Sequence, residues 1–190
     1  MPIPVSWSDR FGREAPLEIE VGSGKGLFLH QASGDQPEHD FVGIEISAKY
    51  ARFAAARLAK SQRTNACILH GDANKLFREH LTDSSLEAVH VYFPDPWWKD
   101  RHIKRRIMNP TFLQLVQKKL RAGGSLHFWT DVEEYFRLSL QVIDESTDLV
   151  GPIDVAERAA EHDMDYHTHF ERRTRLNEQP VYRSRFEKQH

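Results

Sequence analysis

In the run Pro94-Asp95-Pro96, one carboxylate stands between two rings that fix the backbone, and Trp97, Trp98 and Lys99 follow at once. Behind them comes a ramp of cations, Arg101, Lys104, Arg105 and Arg106. Proline sets φ and removes a backbone donor, so this carboxylate is presented in a defined direction at the end of the apolar run Val89 to Phe93. Indole faces stack on planar rings, and a cationic ramp meets phosphate oxygens. An apolar core explains Val89 to Phe93 but not Asp95 beside two tryptophans and a lysine.

A second cluster lies in "EVGSGKG". Gly22, Gly24 and Gly26 follow an apolar strand, permit a tight turn and close ligand approach, and precede a helix whose free amides point at whatever sits there. The dinucleotide fingerprint needs glycine where Leu27 stands, and the phosphate loop G-x-x-x-x-G-K-[ST] is absent. Acids surround the loop instead: Glu20 just before it, Glu45 near the end of the second strand, Asp72 in the turn after the third. A carboxylate ending strand two suits a pair of ribose hydroxyls, Asp72 suits an adenine amino group, and Glu20 lies where a cationic tail would run. Three acids repel phosphate and welcome a cation. S-adenosyl-L-methionine, a nucleoside with a sulfonium and an ammonium but no phosphate, fits that pattern.

The elements that must position these groups alternate. Strands are expected at Leu17 to Val21, Phe41 to Ile46, "ACILHGDA", Leu86 to Phe93 and "SLHFWTD". Helices are expected at "LFLHQAS", in the segment opened by Ser47 as N-cap, at "NKLFREHL", from Asn109 and Pro110 through "TFLQLVQKKLRAGG" with a glycine C-cap, and at "VEEYFRLSLQVIDES". Five strands alternating with helices predict an α/β fold: a doubly wound, mostly parallel sheet with helices on both faces, binding ligands beyond the carboxyl ends of its strands. His70, His90 and His127 fall on strands and read as satisfied core or edge histidines, because no metal-ligand spacing accompanies them.

With 190 residues, one domain over 1–190 is expected, with a C-terminal segment from about 148. The lone cysteine, Cys67, excludes an internal disulfide framework and a cysteine-rich zinc site, and no apolar run of signal or membrane length precedes the first strand. A cytoplasmic chain without metal or membrane is the expectation, as a monomer or homodimer. Net charge is only -2, yet the signs separate. Cations gather in the ramp and in Arg172, Arg173, Arg175, Arg183, Arg185 and Lys188, whereas Asp148, Asp154, Glu157, Glu161, Asp163 and Asp165 form an acidic stretch. The separation predicts one basic face.

The strings "EVGSGKG", "GIEI", "GDA", "YFPDPWWKDRHIKRR", Thr130-Asp131 and "THFERRTRLNEQPVYR" together resemble the bacterial tRNA (guanine-N7)-methyltransferase family, a class I S-adenosylmethionine-dependent group with a Rossmann-like fold. The resemblance runs from about Leu17 to the end, and the P-D-P-W-W-K string is its most specific part. It implies that Glu20, Glu45, Asp72 and Asp95 hold the cofactor or line the active site. It implies substrate contacts at Lys99, Asp131 and Thr168, His169, Phe170 and Glu171. Many members carry a longer basic extension before the first strand than this chain does. The implied reaction is methylation of a guanine N7 in the tRNA variable loop.

Guanine N7 carries an in-plane lone pair and needs no deprotonation, so orientation and electrostatics are the expected roles of Asp95. Arg101, Lys104, Arg105 and Arg106 are expected on RNA phosphates. Thr168 and Glu171 are expected to bring a hydroxyl and a carboxylate that close the guanine pocket. Two alternatives stand beside this reading. One is a methyltransferase for another nucleic acid or a small purine-like acceptor; the other is a non-catalytic RNA-binding subunit of the same fold.

Overall fold

The computed structural model describes residues 4–157, 159–160, 162 and 165–189; Glu161 and Asp163 of the acidic stretch lie outside them. A short helix, α1 (Trp7–Phe11), precedes β1 (Leu17–Val21), α2 (Leu27–Asp35), β2 (Asp40–Glu45), α3 (Ala48–Lys60) and β3 (Ala66–His70). Then come α4 (Ala73–Lys75), running into a π-helical turn at Leu76–His80, and β4 (Leu86–Tyr92). A 3-10 turn (Asp100–Arg105), α5 (Pro110–Lys119), β5 (Leu120–Thr130), α6 (Glu133–Ser146), β6 (Val150–Ile153), α7 (His169–Leu176) and β7 (Tyr182–Glu187) complete the chain. One seven-stranded sheet results, in the order β3-β2-β1-β4-β5-β7-β6. Neighbours from β3 to β5 pair in parallel, and β7 runs antiparallel to β5 and β6.

The five expected strands are present, and two more close the far edge because the C-terminal segment returns to pair with β5. Ser47 caps α3 through Tyr50 N–H and Asn109 caps α5 through Phe112 N–H, as expected. The glycine C-cap of α5 does not form. That helix ends at Lys119, and Leu120 is already extended, because Leu86 pairs with Leu120 and draws the chain into β5 before Gly123 is reached.

The sheet has two unlike faces. Leu17, Ile19, Val21, Val89, Val91, Leu126 and Phe128 meet α5, α6 and the π turn through Phe112, Val116, Ile143 and Phe77, a dry core in which a Phe→Ala change costs about 3–5 kcal/mol. The residues between them face α2 and α3. There β1 offers Glu18 and Glu20, β4 His90 and Tyr92, β5 His127 and Trp129, beside Phe28, Leu29, Phe41 and Leu58.

The C-terminal segment is fastened on this second face. Glu171 in α7 is 2% exposed. It accepts from Arg183 Nη2 at 2.9 Å and from the His167 amide at 2.7 Å, and Arg175 lies 3.4 Å away. Burial alone would raise its pKa, but the hydrogen bonds from His167 and Arg183 hold it down at about 2. Arg175 and Arg183 also pair with Glu157 at 3.1 and 3.0 Å. The expected separation of charge therefore fails in the tail: part of its positive charge is consumed by the acidic stretch and by Glu171. A carboxylate with a lowered pKa stabilises the fold above its ordinary value near 4.5 and loses that contribution as pH falls toward about 2. Glu171→Ala should cost about 1.5–3 kcal/mol at pH 7, the worth of its charged hydrogen bonds to Arg183 and the His167 amide, and the gap from the parent should narrow as the medium is acidified below pH 4. Urea melts at a series of pH values measure both, and coincident melts at pH 7 would contradict the anchor.

Candidate active site

Order reverses in the sheet between β1 and β4, and at their carboxyl ends the topology opens a crevice. Glu20, Gly22, Ser23, Gly24, Leu27, Phe28, Tyr92 and Phe93 line it, and Thr168, His169 and Phe170 of the C-terminal segment close it from above. The glycines of the loop have φ of 77° (Gly22), 51° (Gly24) and 68° (Gly26). Gly26 shows why a side chain is barred as well: a Cβ there would lie 2.7 Å from Ala54 Cβ, where α2 crosses α3. Gly26 is thus the N-cap of α2 and a packing contact, and it does not line the crevice.

The acids occupy different states. Glu45 ends β2, as expected, and is only 7% exposed. Its Oε2 accepts from Gly24 N–H at 2.9 Å and its Oε1 from Ser47 N–H at 2.7 Å, so it fastens the glycine loop to the start of α3. Asp72 is exposed, with Oδ1 capping α4 through Asn74 N–H. Glu20 is 3% exposed and its Oε2 has no hydrogen-bond partner. Burial pushes its pKa up to about 8; Ser23 pulls it down, and the charge of Glu45 adds to the rise.

Beyond β4 the backbone is strained where the sequence placed its prolines. Phe93 and Trp97 adopt φ of 50° and 44°, a region costly for bulky residues, and they bracket Pro94-Asp95-Pro96. Phe93 is pinned by its amide to Trp129 O at 2.8 Å, and Arg106 Nε donates to Pro96 O at 2.6 Å. The Arg106 guanidinium lies over the rings of Trp98 and Tyr135, at 5.1 and 5.6 Å. Arg106 therefore braces the loop from behind, a contact the sequence did not announce. Asp95 is exposed, and among the described residues it accepts no hydrogen bond and joins no salt bridge. Lys99, Arg101, Lys104 and Arg105 are exposed on the same turn, with Arg105 over Trp97. Trp98 is half-exposed and Trp97 partly buried, so the two indoles have different surroundings.

The "THFE" string is divided in its use. Thr168, His169 and Phe170 line the crevice, with Phe170 stacked on Phe93. The Thr168 hydroxyl accepts from Glu171 N–H as the N-cap of α7, and Glu171 is held in the ion pairs described above. Thr168 keeps its hydroxyl hydrogen at the crevice, whereas the Glu171 carboxylate is engaged in ion pairs. Asp131, at the end of β5, accepts from the Thr174 hydroxyl at 3.1 Å and so ties α7 to the sheet. The spacing T-x-x-E was a legible capping signal, and the sequence reading passed over it. It also missed Tyr92 and Glu18, which show in sequence only as polar residues alternating with aliphatic ones along β1 and β4.

The chain matches a family described as "Putative methyltransferase" over residues 14–184. It is 51% identical over 189 residues to a tRNA (guanine-N(7)-)-methyltransferase from Rhodopirellula baltica, covering 96% of this chain and 70% of that one. To the protein of the same description from Shewanella putrefaciens it is 41% identical over 143 residues, covering 75% of this chain and 60% of the relative, so it spans less than two thirds of that relative's length. Among solved structures, the aminoglycoside resistance methyltransferase NpmB1 superposes with a TM-score of 0.63 at 18% identity, covering 96% of this chain and 91% of that one, a likeness of fold.

Glu20 gives the site a testable signature. With a folded pKa near 8 against an ordinary 4.5, the native chain binds more protons than the unfolded chain between those values, so stability falls as pH rises through that window. Glu20→Gln should flatten this decline and raise the melting temperature above the parent's at pH 8. Melting curves from pH 5 to pH 9 check it, and parallel curves for the two proteins would show that Glu20 is not protonated in the free protein.

Proposed function

The chain belongs to the tRNA (guanine-N7)-methyltransferase family, and on that premise we propose that it methylates N7 of a guanine in tRNA with S-adenosylmethionine as donor. The observation that carries the reading is Glu20, a carboxylate sealed from water with one oxygen unpaired beside an amide-lined glycine loop. A ligand ammonium supplies the missing donor and favours the ionised form. The remaining groups fit a nucleoside. Glu45 keeps a lone pair on each oxygen for ribose hydroxyls. Ile46, 74% exposed, offers an apolar face to a purine, and Asp72 retains an oxygen for an amino group. Bound there, the donor supplies a methyl group on a positively charged sulfur.

The chain's own task is placement and charge. N7 attacks with a lone pair already free, so nothing need abstract a proton; positive charge arrives on the purine as the methyl is received, and a fixed anion facing it lowers the barrier. Asp95 is that anion, aimed by two prolines and held by a strained backbone that Arg106 locks from behind. Its carboxylate is free to accept from guanine N1 and amino hydrogens or to face the imidazole ring. Trp98 offers a stacking surface beside it. Lys99, Arg101, Lys104 and Arg105 follow in the chain and serve the phosphates that position the acceptor.

Labelled S-adenosylmethionine with unmodified tRNA, followed by mapping of the modified base, tests the assignment directly; a product other than 7-methylguanine, or none, would overturn it. Asp95→Asn should lower turnover by roughly 10- to 100-fold while tRNA affinity stays within about threefold, since phosphate contacts made elsewhere dominate binding. Turnover close to the parent's would remove Asp95 from the chemistry.

The cations are separable by salt. Lys104→Ala with Arg105→Ala should flatten the log-log salt dependence of tRNA binding by about 1 to 2 and leave the melting curve unchanged. Arg106→Ala should lower the melting temperature instead. An unaltered slope for the double variant would deny these two side chains a place on the phosphates.

A further inference from the structure

Across the crevice from the ramp, helix α3 carries Lys49, Arg52, Arg57 and Lys60 and not one acid. Its apolar side, Ala51, Ala54 and Leu58, is buried. The outward side lacks the mixture of signs that a merely hydrated helix presents. Lys49 with Arg52, and Arg57 with Lys60, are like charges at i, i+3, a spacing at which side chains are neighbours and repel. Lys49 also stands in the first turn, where the helix dipole disfavours a cation and no acid compensates it. None of the four joins a salt bridge among the described residues. In water alone, this charge works against the helix that bears it.

Exposed rings are set among these cations. Phe53, one turn after Lys49, is 51% exposed, and Tyr50 is 43% exposed. Lys25 of the glycine loop holds its ammonium 5.8 Å from the centre of the Phe53 ring. Arg57, one turn further along the same side, reaches His169 Nε2 at 3.1 Å. Burial, then the charges of Arg57, Lys25 and Arg172, lower the pKa of His169, so positive charge converges on the mouth of the crevice that His169 lines. Beside it Arg173 lies over the exposed ring of Phe170. Rings that can take bases, set beside cations that can take phosphates, make a surface suited to an unpaired polynucleotide strand.

The topology puts this surface and the ramp on opposite sides of the crevice. Helix α3 lies on the sheet face that it shares with α2, whereas the ramp follows β4 and its last member, Arg106, packs on Tyr135 of α6 on the other face. We propose that the outward side of α3, with Lys25, is a second docking surface for RNA, taking a strand that crosses the crevice from the ramp. The inference rests on the tRNA reading. Phosphates meet Lys25, Lys49 and Arg57, and an unstacked base lies on Phe53. A bilayer fits less well, because the apolar side of α3 is spent in the core and leaves none for acyl chains. Contacts on both sides of the crevice fix a strand in direction as well as in place, so the acceptor guanine does not swing about a single line of phosphates.

Lys49→Glu separates docking from hydration, because it improves the first turn of α3. The free protein should melt no lower than the parent, while tRNA binding weakens at least roughly fivefold at low salt and its log-log salt slope flattens by about 1. Phe53→Gln keeps a good helix former; it should weaken tRNA roughly tenfold and leave the slope unchanged, since a stacked base releases no counterion. S-adenosylhomocysteine should bind both variants as it binds the parent, by calorimetry. Slope losses from Lys49→Glu and from the double variant Lys104→Ala with Arg105→Ala should add, because different phosphates are involved. Unchanged tRNA affinity in Lys49→Glu overturns the inference, and it decides alone should Phe53→Gln fail to fold; unchanged affinity in a folded Phe53→Gln removes the base contact. Slope losses that do not add overturn the crossing strand. If phosphatidylserine vesicles, and not tRNA, distinguish Lys49→Glu from the parent, the face belongs to a membrane and the inference fails. A parent that binds no tRNA defeats the functional reading and the inference with it, whereas a parent that binds tRNA no better than Lys49→Glu does defeats the inference alone.

Discussion

A carboxylate taken out of water must find protons, and among the described residues this fold is arranged around five that have been. Glu18, Glu20, Asp40, Glu45 and Glu171 are all buried. Glu18 is answered by two histidines, Asp40 by Arg13, Glu45 by two backbone amides, and Glu171 by Arg183, Arg175 and the His167 amide. Each answer joins elements far apart in sequence: β1 to β2 and β4, the glycine loop to α3, and α7 to β7. Breaking such a pair leaves an uncompensated charge, at a cost larger than the net worth of the pair itself, so these contacts specify which elements must meet. Glu20 alone is left with an unpaired oxygen, and it stands where the glycine loop and the C-terminal segment face each other. Four of these five buried acids are satisfied within the protein, and Glu20 is the one left open.

The loop after β4 solves a different problem. Asp95 must stay hydrated and aimed, and a flexible loop would scatter it. Prolines on either side narrow its backbone, but the strain at Phe93 and Trp97 would relax if nothing opposed it. Opposition comes from Trp129 O on one side and Arg106 on the other, the latter filling a slot between Trp98 and Tyr135. The cation nearest the end of the ramp is thus part of the frame, and Lys99, Arg101, Lys104 and Arg105 before it stay exposed.

Much of this was legible in sequence, and the rest was hidden for identifiable reasons. Alternating strands and helices, the caps Ser47 and Asn109, the glycine loop and the proline-bound Asp95 are local signals, carried by neighbouring residues, and they appear where expected. What failed to show was pairing at a distance. Nothing near Glu171 announces Arg183, nothing near Arg106 announces Tyr135, and Leu120 reads as helix until Leu86 claims it for the sheet. The polar alternation of β1 and β4 was present in the letters, but a strand with Glu18 and Glu20 reads as half-exposed until α2 is known to cover that face.

The two faces of the sheet then divide the work. The aliphatic face holds β1 and β4 in register against α5 and α6, with a core that tolerates no water. Because that face alone secures the strands, the opposite one is released from pure packing and can carry histidines, acids and a tyrosine. A sheet hydrophobic on both faces would hold the same topology, yet it would have no means of keeping an unpaired carboxylate beside the crevice. The buried polar groups therefore stand at the carboxyl ends of the central strands and immediately beneath them, where the reversal of strand order opens the crevice.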